Sequence, residues 1–155
     1  MIATLEPMSI VSYLACTSSY SGGLHIYLPF EEAQSFWQLS IAIVVLLENA
    51  GFMVKPGQLE VFPNPKPYRS DGTFSLFNAH RLPLQIGSYL INADFQPVWS
   101  DRSVFVQRWN FARSRNTVDA KTIKRVLKQY KRRPFRISGK ADKYLNDLNA
   151  EIEIG

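Results

Sequence analysis

Apolar positions along the chain switch between a two-residue and a helical period. Residues 10–16 and 24–29 are short apolar or β-branched segments separated by the polar, glycine-rich run Thr17-Ser18-Ser19-Tyr20-Ser21-Gly22-Gly23, which predicts two strands joined by a loop or hairpin. In the second segment Leu24, Ile26 and Leu28 alternate with His25, Tyr27 and Pro29, so His25 is placed on the face opposite the aliphatic residues. From Glu31 or Glu32 to about Ala50, the residues Phe36, Leu39, Ile43, Leu46 and Leu47 recur at helical spacing. Acidic residues open that segment and Gly51 follows it, as a helix C-cap does. Pro56-Gly57 signals a turn, after which residues 58–62 read as a short strand stopped by Pro63, Pro65 and Pro67. Asp71-Gly72 marks a second turn into residues 74–84, then Gly87-Ser88 leads to a strand at 89–92, so residues 58–92 are expected to form a meander of short strands. Beyond Asp101 the period is helical again. Val104, Phe105, Trp109 and Ala112 share one face, and Ile123, Val126, Leu127 and Tyr130 share another. Pro134 is expected to end the second of these helices, and a last one is expected over about 140–151, after Gly139. The order predicts an α+β domain, a mostly antiparallel sheet with helices on one face or end.

Composition places the chain among ordinary globular proteins: 155 residues, 46% apolar and 20% charged. The longest apolar run, residues 41–47, falls far short of the roughly 20 residues that span a bilayer, which argues against an integral membrane protein. The first residues lack a basic segment followed by an apolar core and a small-residue cleavage site, so a cytoplasmic location is expected. The single cysteine, Cys16, has no partner for a disulfide and no second thiol for a structural zinc site; it is expected to face the core. Trp37, Trp99, Trp109 and Tyr20 are assigned to packing.

Charge changes the picture more. Only Lys55, Lys66, Arg69 and Arg81 are basic before residue 101, where acidic residues outnumber them; the rest of the 18 Lys and Arg lie beyond it. The excess of positive charge therefore belongs to the last third of the chain. Lys121, Lys124, Arg125, Lys128, Lys131, Arg132, Arg133 and Arg136 concentrate around one helix, with Tyr130 and Phe135 nearby to stack on bases. Such a cluster suits a polyanion, because each neutralised phosphate releases a counterion. A solvated helix face is the plainer alternative.

Three further segments can carry chemistry. Gly22 and Gly23 offer backbone N–H groups that can approach phosphate closely, and His25 just beyond can donate to the same oxygens; a glycine hairpin followed by a histidine on a solvated sheet face is the plainer alternative. Glu60 alternates with Leu59 and Val61, and a carboxylate on a sheet face suits a hard divalent cation. Arg81 is an isolated cation in an apolar stretch, and its planar fork fits a carboxylate or a phosphate.

Taken in order, these segments carry a resemblance. The series Ser21-Gly22-Gly23-Leu24-His25 with its apolar strand, a helix, Leu59-Glu60-Val61-Phe62-Pro63-Asn64, then Asn78-Ala79-His80-Arg81-Leu82-Pro83-Leu84-Gln85 and Gly87-Ser88-Tyr89-Leu90-Ile91-Asn92-Ala93-Asp94-Phe95-Gln96-Pro97, resembles the archaeo-eukaryotic primase superfamily over roughly residues 10–113. The nearest members are the helicase-associated primase-polymerase domains of bacterial mobile and conflict-system genes. The resemblance implies an RRM-like palm sheet with helices packed on one side, a partial catalytic core over residues 1–115, and a basic helical extension over 116–155. It further implies that Ser21, Gly22, Gly23, His25 and Arg81 hold a nucleoside triphosphate. Glu60 would bind magnesium or manganese and, with His25, serve catalysis of nucleotidyl transfer on single-stranded DNA or a primer-template.

The chain departs from that family in two places. The family often has serine two residues before the histidine, where this chain has Gly23. The family's first motif, two acidic residues one apart on an upstream strand, is absent: before Ser19 the only acidic residue is Glu6, followed by Pro7. One carboxylate cannot hold two cations well. The expectation is a domain inactive by itself: a gene fragment, a split subunit whose partner polypeptide supplies the acidic pair, or a degenerate module that retained nucleotide or nucleic-acid binding. The ending Glu151-Ile152-Glu153-Ile154-Gly155 is compatible with a truncated longer protein. A non-catalytic nucleic-acid-binding module and a structural subunit pairing with another polypeptide are the competing readings.

Overall fold

A computed structural model describes residues 1–18, 22–63 and 82–130. An N-terminal 3-10 helix, Ile2–Met8, leads to strands β1, Leu14–Thr17, and β2, Leu24–Tyr27, and then to helix α1, Phe36–Asn49. Strands β3, Leu90–Ile91, and β4, Pro97–Val98, precede helices α2, Arg102–Arg115, and α3, Ala120–Tyr130. The sheet is antiparallel throughout, in the order β2-β1-β3-β4. The fold is therefore α+β with helices on one side of a four-stranded antiparallel sheet.

Register sorts the sheet residues by face. Leu14 pairs with Tyr27, Cys16 with both His25 and Leu90, and Leu90 with Val98, so these side chains share one face. That face packs on α2 through Phe105, Trp109 and Ala112. The Trp109 ring lies 5.8 Å from Phe105 and 6.1 Å from Tyr27, a tilted aromatic row between helix and sheet. A second cluster gathers Leu5 and Met8 of the 3-10 helix, Ile10, the aliphatic residues of α1, Val118, and Ile123, Val126 and Leu127 of α3. Helix α1 is apolar nearly all round, with Leu39, Ile41, Ala42, Ile43, Val45, Leu46 and Leu47 buried, because the 3-10 helix and α3 both pack against it.

The two clusters are joined by one amide. Asn116, buried in the connection between α2 and α3, accepts hydrogen bonds at Oδ1 from the backbone N–H groups of Val11 and Ser12, each at 2.9 Å. Its Nδ2 donates to the carbonyls of Ser12 and Pro29, again at 2.9 Å. Two donors and two lone pairs are all that an amide side chain has, and all are used.

Several sequence expectations shift. Helix α1 begins at Phe36, not at Glu31 or Glu32, because the preceding backbone is held elsewhere: Pro29 accepts from Asn116, and Gln34 Nε2 donates to the Val118 carbonyl at 3.2 Å. Residues 58–62 are not a strand. Lys55 and Leu59 form an isolated bridge around Gly57, which has φ of +75°, and Leu59 and Val61 pack against the second cluster instead of entering the sheet. The expected strand at 89–92 is present as β3. Strand β4 has no forecast in the sequence, being two residues long and starting at a proline. It is set by Asn92, whose Oδ1 accepts from the N–H groups of Asp94 and Gln96 and turns the chain back on itself. Helices α2 and α3 carry the expected buried faces, and Cys16 is buried. Trp109 packs as expected, whereas Trp99 is 80% exposed and does not. Residues 64–81, including most of the expected meander, and everything after Tyr130 lie outside the described residues, as do Tyr20 and the Trp37 side chain.

Replacing Asn116 by Ala removes the partner of one buried carbonyl, at Pro29, and of three part-buried groups at Val11 and Ser12; a fully buried group left unsatisfied costs about 1–3 kcal/mol. Asn116→Ala is expected to lower unfolding free energy by about 3 kcal/mol or more in urea melts, and Asn116→Asp to be no better, since a carboxylate accepts but cannot donate.

Candidate nucleic-acid interface

The glycine loop and His25 meet at the start of β2. Gly22 takes φ of +70°, and the Gly23 carbonyl accepts from Ser18 N–H at 2.7 Å, closing the β1–β2 connection. Both glycines are exposed, and Ser21 lies outside the described residues. The alternation in β2 is as expected, with His25 opposite the aliphatic residues, but the facing is reversed. Leu24 is 57% exposed and Ile26 is exposed, whereas Tyr27 is buried beneath α2 and His25 is half-buried beside it. The aromatic ring of Tyr27 meets Trp109 and so claims the covered face of this edge strand. His25 is therefore not on the solvated face; its Nδ1 lies 3.4 Å from the Tyr27 hydroxyl, with the two rings edge to face.

Burial has chemical consequences on that covered face. It pushes the Cys16 thiol up from 9.0 to about 11. Burial, and then the neighbouring Cys16, push the Tyr27 phenol up from 10.0 to about 12. Neither group ionises in neutral solution, so Cys16 is a packing residue and not a nucleophile.

Glu60 does not join His25. It sits outside the sheet, exposed, with Oε1 accepting from Gly57 N–H at 2.9 Å, which closes its own turn. Among the described residues no group of three or more His, Cys, Asp or Glu side chains could hold a metal ion. Arg81 lies outside the described residues, as do Lys131, Arg132, Arg133 and Arg136.

The cationic cluster is placed by helix α3. Its apolar side, Ile123, Val126 and Leu127, is buried, and Tyr130 is half-buried against the same cluster. Lys121, Lys124 and Lys128 consequently project into solvent from the opposite side, spaced so that they neighbour one another along the helix. They make no ion pair among the described residues. Arg125 is exposed as well, but its guanidinium donates to the Pro7 carbonyl at 2.9 Å and so ties α3 to the 3-10 helix. Asp119 accepts from Thr122 N–H at 2.7 Å and opens the helix; that bond, the Thr122 hydroxyl, and the nearby Lys121 and Arg125 hold its carboxyl below the usual range. Helix α2 adds arginines, of which Arg113 pairs with Glu31 at 3.2 Å.

Sequence reasoning missed Asn116 and the exposed aromatic residues bordering the sheet. Nothing in the local sequence distinguishes Asn116 from a helix-ending asparagine. Comparison of the chain with protein-family models, with curated proteins and with solved structures finds no match. No helix among the described residues is long and apolar enough to cross a membrane.

The paired thiol and phenol give an alkaline prediction. Both groups are neutral when protonated and both have pKa values raised by folding, so their stabilising contribution is complete below the ordinary thiol value of 9.0 and is lost as pH rises through about 11 and toward 12. Urea midpoints are expected to fall from pH 9 upward, and Cys16→Ala to delay the onset until the ordinary phenol value of 10.0; a flat midpoint in both proteins would contradict it.

Proposed function

We propose that this chain is a primase-polymerase-like domain of DNA replication that works by binding nucleic acid and nucleotides. The observation that carries the reading is the cationic side of α3: burial of Ile123, Val126 and Leu127 holds Lys121, Lys124 and Lys128 outward, with no ion pair among the described residues. Three ammonium groups on one helix side can each neutralise a phosphate and release its counterion. The antiparallel sheet and the glycine loop beside His25 agree with the primase resemblance but do not distinguish it from other α+β sheets. Nucleotidyl transfer is not assigned to this chain, because Glu60 closes a turn and Glu6, the only acidic residue before Ser19, lies in the 3-10 helix. Where such chemistry occurs, the acidic pair would have to come from outside these 155 residues, on a longer chain or on a second polypeptide.

The test is a salt titration of binding to single-stranded DNA. Each phosphate contact contributes about 0.7 to the slope of log affinity against log salt, so Lys121→Ala/Lys124→Ala/Lys128→Ala together are expected to reduce the slope by about 2. An unchanged slope rejects the α3 interface. Isothermal titration with a nucleoside triphosphate and manganese tests the nucleotide half of the reading. Binding is expected in the parent and is expected to be lost in both His25→Ala and Arg81→Ala; heat that is the same in all three removes the assignment.

A further inference from the structure

The sheet face of Leu24 and Ile26 has no helix against it among the described residues. A groove of about 720 Å3 has Leu24 and Ile26 of β2 in its lining and is bordered by three aromatic residues from separate parts of the chain: Tyr13 before β1, Phe95 in the β3–β4 turn and Phe111 on α2. Their exposures are 44%, 76% and 64%. Among the described residues the only charged side chain in the lining is Arg108, which has no ion-pair partner there, and no carboxylate contributes to the groove. Arg115 sits beside it with its guanidinium 6.0 Å from the centre of the Phe111 ring.

We propose that this groove binds single-stranded nucleic acid, with bases stacking on Phe95, Phe111 and Tyr13 and a backbone phosphate held by Arg108. The inference rests on the nucleic-acid reading of the chain and adds a second contact surface, one that engages bases where α3 engages phosphates. Three features favour this occupant. Flat rings exposed around an apolar floor accept any base face, whereas a duplex keeps its bases stacked on one another and offers none. The one charged side chain among the described lining residues is positive, so an anionic strand meets attraction there and no described carboxylate opposes it. Phe95 also gains little from folding: its backbone has φ of +60°, a left-handed conformation that disfavours bulky residues, and its ring is mostly in solvent. Folding alone would prefer glycine or asparagine there.

The experiment measures anisotropy of a labelled oligothymidylate of about 12 nucleotides, and of an abasic strand of the same length and charge, with the full chain. Phe95→Asn removes the ring while suiting the left-handed backbone, Phe111→Ala removes the second ring, and Phe95→Tyr keeps a stacking face. The thymidylate is expected to bind more tightly than the abasic strand. Phe95→Asn and Phe111→Ala are each expected to weaken thymidylate binding at least about fivefold without changing the abasic strand, while Phe95→Tyr binds like the parent. If the ring-removing variants bind both strands as the parent does, the groove proposal is overturned; the α3 reading then still stands, provided that its lysine variant lowers the salt slope. If neither strand binds the parent, both fall. Sedimentation completes the test. A parent dimer that Phe111→Ala converts to a monomer, with thymidylate affinity unchanged, would assign the groove to a second copy of this chain and overturn the proposal.

Discussion

The four hydrogen bonds of Asn116 are the constraint on which the arrangement depends. Connecting segments cannot use a helix or sheet ladder, so their buried N–H and C=O groups need partners of another kind. Here residues 11 and 12, leading into β1, and residue 29, leaving β2, all turn to the same side chain. That side chain ends α2 and precedes α3, so one residue sets the approach of α2 to the sheet and of α3 to α1. The contacts continue along the strand-like backbone beyond it: Thr117 N–H donates to the Ser9 carbonyl at 3.2 Å, and the Val118 carbonyl accepts from Gln34. Leucine would fill the volume and satisfy none of these groups.

From that point the orientation of α3 follows by magnitude. Fully burying an aliphatic side chain is worth about 1.5–3 kcal/mol, and Ile123, Val126 and Leu127 are all buried. Solvent-exposed lysines contribute little to stability either way, and an exposed ion pair is worth about 0–1 kcal/mol. Packing therefore decides which side faces inward, and the lysines take the other side as a consequence. The guanidinium of Arg125 then fixes the helix against Pro7 and the 3-10 helix. A positive surface arises here without any attraction between charges having to hold it in place.

The elements legible in the sequence were those whose apolar period is long enough to be unambiguous. Helices α1, α2 and α3 repeat their pattern over 11 to 14 residues, and the β1–β2 pair is announced by its glycines. The site was less legible, for identifiable reasons. Alternation in β2 correctly separated His25 from Leu24 and Ile26, but alternation alone does not say which face a helix will cover, and the Tyr27–Trp109 contact decided it. The stretch around Glu60 alternates like a strand, yet Gly57 and Pro63 leave room only for a turn that the carboxylate itself closes. Asn116 could not be singled out because its partners are more than 80 residues away in the chain.

What remains is a sheet that is apolar on both sides, with described helices covering only one of them. The face of Leu14, Cys16, Tyr27 and Leu90 has α2; the face of Leu24 and Ile26 has no described helix against it. An antiparallel sheet can leave one face in water, but such a face is ordinarily polar, and an exposed apolar patch bordered by aromatic rings marks an interaction surface. The two surfaces assigned to nucleic acid differ in physics as well as in position. Phosphate contacts by α3, as proposed, would act at a distance and fade as salt screens them, whereas stacking would act only in contact and be less sensitive to salt. A strand drawn in by the first surface would be retained by the second, so the affinity left at high salt measures the rings, and the part lost to salt measures the lysines.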